Sequence, residues 1–228
     1  GTEKSGLWKT TNGGNSWENL TDNYNMPNNN YMAAAGFGIS SIAVDNINNI
    51  IYISCFSQSE DLVLGYGRNI LKSTDGGINW EILGSYVGYL STNPQDFHTN
   101  VWKIKLEKGG FSSFSNEPYI LYAAIGKKLV ALRTSNTLPA YKVIFELGTN
   151  SPNPLNPTNY SYFERKIRDF EFYIDTFNKR SFCLSTEGHS IFNNVTNSYI
   201  NLNAELYYTT FTGHPLFNTI TWQRVDLN

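Results

Sequence analysis

Apolar and polar residues alternate along this chain in short runs, each cut off by Gly, Pro, Asn or Asp. Runs of this kind predict β-strands, and nothing of helical period is sustained. Residues 39–45 (Ile-Ser-Ser-Ile-Ala-Val-Asp) predict a first strand, Asn46 to Asn49 a turn, and Ile50 to Phe56 a second strand. Ile70 to Ser73 and Trp80 to Leu83 predict a third and a fourth. A less regular cycle follows, with strands at Val101 to Leu106, Tyr119 to Ile125, Leu129 to Thr134 and Tyr141 to Leu147. A third begins at Ile167, with Arg168 to Ile174 and Arg180 to Leu184. Its third strand falls on His189 to Asn193 or on Leu206 to Thr210, and Thr221 to Val225 is its last. First strands starting near residues 39, 101 and 167 set a period of roughly 60–65, longer than the roughly 40–50 of tidier four-stranded repeats. Long Asn- and Pro-bearing loops at 21–35 and 148–164 account for the excess.

Two windows repeat closely. Residues 6–20 read Gly-Leu-Trp-Lys-Thr-Thr-Asn-Gly-Gly-Asn-Ser-Trp-Glu-Asn-Leu, and 69–83 read Asn-Ile-Leu-Lys-Ser-Thr-Asp-Gly-Gly-Ile-Asn-Trp-Glu-Ile-Leu. Each predicts a short strand, a Gly-Gly turn that needs positive φ, and a second strand leaving through Trp17 or Trp80. Asn12 and Asp75 carry side-chain oxygens able to fold back on turn N–H groups, with the Thr10 or Ser73 hydroxyl adding a local bond. The tryptophan is expected to pack beneath the turn and lock it. Every repeated position thus has a structural task that needs no ligand.

Ser73-Thr74-Asp75-Gly76-Gly77-Ile78-Asn79-Trp80 resembles in full the Asp-box, or bacterial neuraminidase repeat, Ser-x-Asp-x-Gly-x-x-Trp. Thr10 to Trp17 resembles it with Thr10 for Ser and Asn12 for Asp, keeping Gly14 and Trp17. The resemblance implies an all-β fold: a β-propeller of four-stranded antiparallel blades, with each box between a blade's third and fourth strands. In these terms residues 1–20 are an outer half-blade, and 36–84, 99–147 and 165–228 are blades. Propellers close with roughly 4–8 blades. Three and a half therefore imply an incomplete ring, finished by the remainder of a longer chain or by a partner. The superfamily includes sialidases, xyloglucan-cleaving hydrolases, sortilin-type receptors and photosystem assembly factors, so the box speaks for fold more than for activity.

Composition agrees with many strands joined by turns. Aromatic residues make up 15%, mostly Tyr (15) and Phe (14), which suit pleated, half-buried surfaces. A net charge of −2 gives no electrostatic ground for nucleic acid, and Lys127-Lys128 and Arg165 to Arg168 read as solvated clusters. No apolar run approaches the ~18 residues that span a bilayer, so membrane insertion is not expected. Cys55 and Cys183 both fall in predicted strands, and both are expected to be buried free thiols. Asn19, Asn159 and Asn194 head formal glycosylation sequons, which an Asn-, Ser- and Thr-rich chain produces by chance.

Catalytic signals are sparse. The Arg-Ile-Pro motif of sialidases is absent, and the six arginines stand in no recognisable context. Glu60 and Asp61, in the long loop before the second box, are the best candidates for a catalytic or sugar-contacting acid, against the plainer reading of a solvated loop pair. His98, His189 and His214 are scattered without metal-ligand spacing, so neither metal nor cofactor is expected. The expectation is a non-catalytic propeller module of a secreted or cell-surface protein, a scaffold or a glycan- or protein-recognition surface using its long loops. Its Asn-, Ile- and Tyr-rich style resembles large proteins of gliding, Bacteroidota-type bacteria, exported by a system that reads a C-terminal sorting domain (type IX secretion). The alternatives are a fragment of a sialidase-like or xyloglucanase-like glycoside hydrolase and a sortilin-type peptide receptor. Two cysteines fit the last poorly.

Overall fold

The computed structural model describes residues 1–2, 5–22, 38–56, 70–83, 101–108, 119–134, 141–147, 166–193, 198–213, 215 and 218–225. All of their regular structure is β. The strands are β1 (Trp8–Lys9), β2 (Glu18–Asn19), β3 (Gly38–Asp45), β4 (Ile50–Phe56), β5 (Ile70–Ser73), β6 (Glu81–Ile82), β7 (Val101–Lys108) and β8 (Tyr119–Ile125). They continue with β9 (Lys128–Arg133), β10 (Tyr141–Glu146), β11 (Ile167–Ile174), β12 (Lys179–Thr186), β13 (His189–Asn193), β14 (Ser198–Leu202), β15 (Leu206–Thr212) and β16 (Gln223–Val225). They assemble into three four-stranded sheets, ordered β3-β4-β5-β6, β7-β8-β9-β10 and β11-β12-β15-β16, and two hairpins, β1-β2 and β13-β14. All-β, with four-stranded sheets in meander order as in the blades of a partial β-propeller, is the fold class the sequence pattern predicts.

The ambiguity in the third cycle resolves in favour of Leu206–Thr212 as third strand. His189–Asn193 instead pairs with Ser198–Leu202 in a hairpin of its own. That hairpin is an insertion with a closed neck: Thr186 N donates to Glu205 O (2.9 Å), and Glu205 N donates to Thr186 Oγ1 (2.9 Å).

By contacts the chain divides into two units, Gly1–Ala123 with Leu132–Ala140, and Ala124–Ala131 with Tyr141–Asn228. In the first, β4 and β5 are buried on both faces, as Tyr52, Ile53, Ser54, Cys55, Ile70, Leu71, Lys72 and Ser73 show. Leu7, Ile39, Ile53, Cys55, Leu71 and Trp80 form one core cluster, with Leu20 and Ile51 against it. β3 also meets β7, where Ser40 Oγ donates to Val101 O (2.5 Å) and Ser41 Oγ to Ile104 O (3.3 Å).

In the second unit, β12 and β15 alternate buried and open positions, so one face of their sheet is covered and the other is wet. Phe170, Phe182 and Leu184 lie on the covered face, and Phe182 stacks on Phe172 (5.3 Å) and Phe211 (5.7 Å). Glu171, Cys183, Tyr208 and Gln223 are in register across the open one. Cys183 is therefore exposed, which corrects the expectation of two buried thiols; Cys55 alone is buried. Leu184, not Cys183, takes the inward position, because adjacent strand residues face opposite ways.

Candidate functional site

Among the described residues, the two repeated turns are the most fully bonded side-chain constellations. In the second, Ser73 Oγ donates to Asp75 Oδ1 (2.8 Å) and accepts from Gly77 N (2.8 Å). Asp75 Oδ1 also accepts from Ile78 N (3.0 Å) and Asn79 N (2.9 Å), while Oδ2 accepts from Asn79 Nδ2 (2.7 Å). The Asn79 backbone and side-chain amides, then the Ser73 hydroxyl, hold the Asp75 carboxyl down at a pKa of about 2. Trp80 Nε1 donates to Gly77 O (3.1 Å) and closes the turn.

The first turn repeats most of these bonds, with the outer side-chain bond reversed: Asn12 Nδ2 donates to Ser16 Oγ (2.7 Å) where Asp75 Oδ2 accepts from Asn79 Nδ2. Thr10 Oγ1 donates to Asn12 Oδ1 (3.0 Å) and accepts from Gly14 N (2.9 Å), Asn12 Oδ1 accepts from Ser16 N (2.9 Å), and Trp17 Nε1 donates to Gly14 O (3.2 Å). Both hairpins share one register: Lys9 faces Glu18 as Lys72 faces Glu81, and Leu20 N meets Leu7 O as Leu83 N meets Ile70 O, each at 2.8 Å. Gly13, Gly14, Gly76 and Gly77 all have positive φ, from 68° to 101°, where a Cβ is strained.

The tryptophans differ, however. Trp80 is 8% exposed, but Trp17 is 57% exposed, so the expected packing beneath the turn is met at the second box only. Trp80 belongs to the core cluster of its own sheet and is bonded to Leu20 O of the first hairpin, and among the described residues no second hairpin lies on Trp17 in the same way.

These turns spend their polar groups on their own backbone. The Ser73, Asp75, Thr10 and Asn12 side chains act as clips on their own turns. Glu60 and Asp61 lie outside the described residues, as do Asn159 and Asn194. Asn19 is engaged locally: its Nδ2 donates to Ser5 O (2.8 Å) and its Oδ1 accepts from Thr21 N (2.8 Å) and Asp22 N (3.0 Å). Among the described residues, no three His, Cys, Asp or Glu side chains gather as a metal site, and no helix is long and apolar enough to cross a membrane.

One polar group escaped the sequence reading. Tyr207 Oη donates to Glu205 Oε2 (2.7 Å), and Arg224 Nη1 stands 3.4 Å from Glu205 Oε1. The i, i+2 spacing of Glu205 and Tyr207 was a visible signal of a shared strand face, but Arg224 joins them through the β15–β16 register, where it faces Tyr207. A phenol that donates to a carboxylate is fixed in orientation by a charge-assisted bond. Here the same glutamate also closes the neck of the β13–β14 insertion through its main chain, and the Tyr207 ring lies 4.9 Å from that of Phe145.

No protein-family profile and no curated protein matches the chain. Among solved structures it is similar to a glycoside hydrolase, at a TM-score of 0.33 and 15% sequence identity. That likeness covers 77% of this chain and spans only 42% of the other.

Proposed function

We propose that the chain is a non-catalytic Asp-box propeller module of a secreted or cell-surface protein, serving as a scaffold or as a recognition surface for glycan or protein. The supporting observation is the shared bonding of the two turns, in which the repeated Ser/Thr, Asp/Asn and Trp positions bond the turn itself. Repeated residues spent in this way leave recognition to the surfaces between them, where large apolar side chains stand in water. Ile47 (82% exposed) and Phe177 (85%) do so at the tips of the β3–β4 and β11–β12 turns. Tyr173 (67%) and Tyr208 (43%) do so on the open face of the third four-stranded sheet. Exposed aromatic rings of this kind suit sugar faces and protein partners.

Glycan-array binding and a screen of chromogenic glycosides test this reading together. Binding without turnover is the expected result, weakened by Tyr173→Ala or Phe177→Ala. Hydrolysis that disappears in Glu205→Gln or Tyr207→Phe would overturn the non-catalytic assignment.

A further inference from the structure

The two hairpins share their register, the Ser/Thr and Asp/Asn bonds to the turn backbone and the tryptophan bond that closes it, and differ in what lies against them. The second box sits on the first hairpin at three points. Lys9 Nζ reaches Gly76 O (3.5 Å), and Leu20 covers Gly77 so closely that a Cβ there would meet Leu20 Cδ1 at 2.5 Å. Trp80 Nε1 makes a second hydrogen bond, to Leu20 O (3.0 Å). Stepping from Ser73 to Thr10, or from Trp80 to Trp17, shifts every position by the same interval and maps these points onto Gly13 O, Gly14 and Trp17 Nε1. Among the described residues, none takes the place of Lys9 or Leu20 at these three points. A Cβ at Gly13 would meet nothing within 4 Å, and one at Gly14 only Trp17 itself, at 4.0 Å. Among the described residues, Trp17 Nε1 reaches Gly14 O alone.

We propose that this surface is the seat of a further β-hairpin of the same kind, contributed by polypeptide outside residues 1–228. The seated hairpin places a basic residue over Gly13 O and an apolar residue over Gly14. The main-chain carbonyl of that apolar residue accepts from Trp17 Nε1. The occupant follows from continuity with the contact already present: the receiving groups are the same, and what they receive in the second box is a strand end with Leu20 and Lys9. Bare glycines let a main chain approach closely, and an indole offers both an apolar face and a donor. The proposal rests on the module reading in one respect, that the boxes are repeats of one element. It does not depend on any ligand, so its failure would leave the glycan and turnover tests untouched.

The test fuses a second copy of residues 1–22 ahead of Gly1 through a flexible Gly/Ser linker long enough to match the natural spacing of the boxes. Oxidative footprinting read by mass spectrometry then compares Trp17 with Trp80; the linker distinguishes peptides of the copy from those of the host. Without the copy, Trp17 is labelled several-fold faster than Trp80. With it, Trp17 labelling falls to the level of Trp80, and Leu20→Asp in the copy alone restores the fast rate. Unchanged Trp17 labelling on fusion, or protection that survives Leu20→Asp, overturns the proposal. Protection of Trp17 in the unfused chain that rises with protein concentration also overturns it, naming a second copy as the occupant.

Discussion

Asp75 shows what one side chain contributes to a turn of this kind. Its carboxylate collects two backbone donors and two side-chain donors within one turn, and its pKa falls from 3.8 to about 2. A depressed carboxylate pKa means stability that is present in full above the unfolded value and is lost as pH falls towards the folded one. Asp75→Asn keeps the oxygen that Asn12 uses in the first box but removes the titration. The melting-temperature difference between wild type and this variant is therefore expected to be constant above about pH 5 and to shrink between about pH 4 and pH 2. A difference that grows on acidification would contradict the assigned bonds.

The glycines of the two turns make a second comparison at the same scale. Gly77 has φ +101° and would press a Cβ into Leu20, whereas Gly13, at φ +68°, faces open space. Gly77→Ala is expected to cost about 1–3 kcal/mol in urea unfolding, and Gly13→Ala less, since it carries the backbone penalty without the contact.

Among the elements, the third four-stranded sheet departs most from a plain meander. β12 runs to Thr186, the chain leaves for β13 and β14, and it returns at Glu205 to begin β15 beside the point of departure. The neck already has the geometry of a hairpin end, held by the paired Thr186 and Glu205 bonds. Replacing residues 188–203 by a two-residue Asn-Gly turn is expected to leave the far-ultraviolet circular dichroism β-rich and the unfolding cooperative. Collapse of the fold on excision would show that the hairpin carries part of the core. Both candidate third strands were visible as apolar runs. The choice between them was not, because His189–Asn193 can satisfy its ladder locally, whereas Leu206–Thr212 completes its ladder only with β12 and β16, which are distant in sequence.

At the scale of the whole molecule, burial separates two thiols that look alike in sequence. Cys55 sits in a strand covered on both faces, and the burial of its thiol pushes the pKa far up. Cys183 faces the open side of its sheet, where partial desolvation also raises its thiol pKa. Reaction with a thiol reagent at mildly alkaline pH is expected to modify one cysteine in the native protein, Cys183, and both after unfolding. Two fast native thiols would mean that the β3–β6 sheet is not covered as described.

Local interactions explain what the sequence by itself determined. The strands, the repeated Gly-Gly turns and the pairing of Ser73 with Asp75 depend on residues within a few positions of one another, so alternation, glycine and short polar side chains sufficed to read them. The β3–β4 and β11–β12 turns belong to the same class: Asp45 and Asp175 accept from the N–H groups that follow them, and Asn49 and Asn178 take positive φ. Tertiary structure decided the rest. Nothing local distinguishes Trp17 from Trp80; Trp80 joins the core cluster of Leu7, Ile39, Ile53, Cys55 and Leu71, with Leu20 against it, whereas Trp17 stays exposed. The Glu205–Tyr207–Arg224 group likewise exists only through strand register. Burial and cross-strand neighbours are set by what packs against a strand, and residues tens of positions away supply that packing.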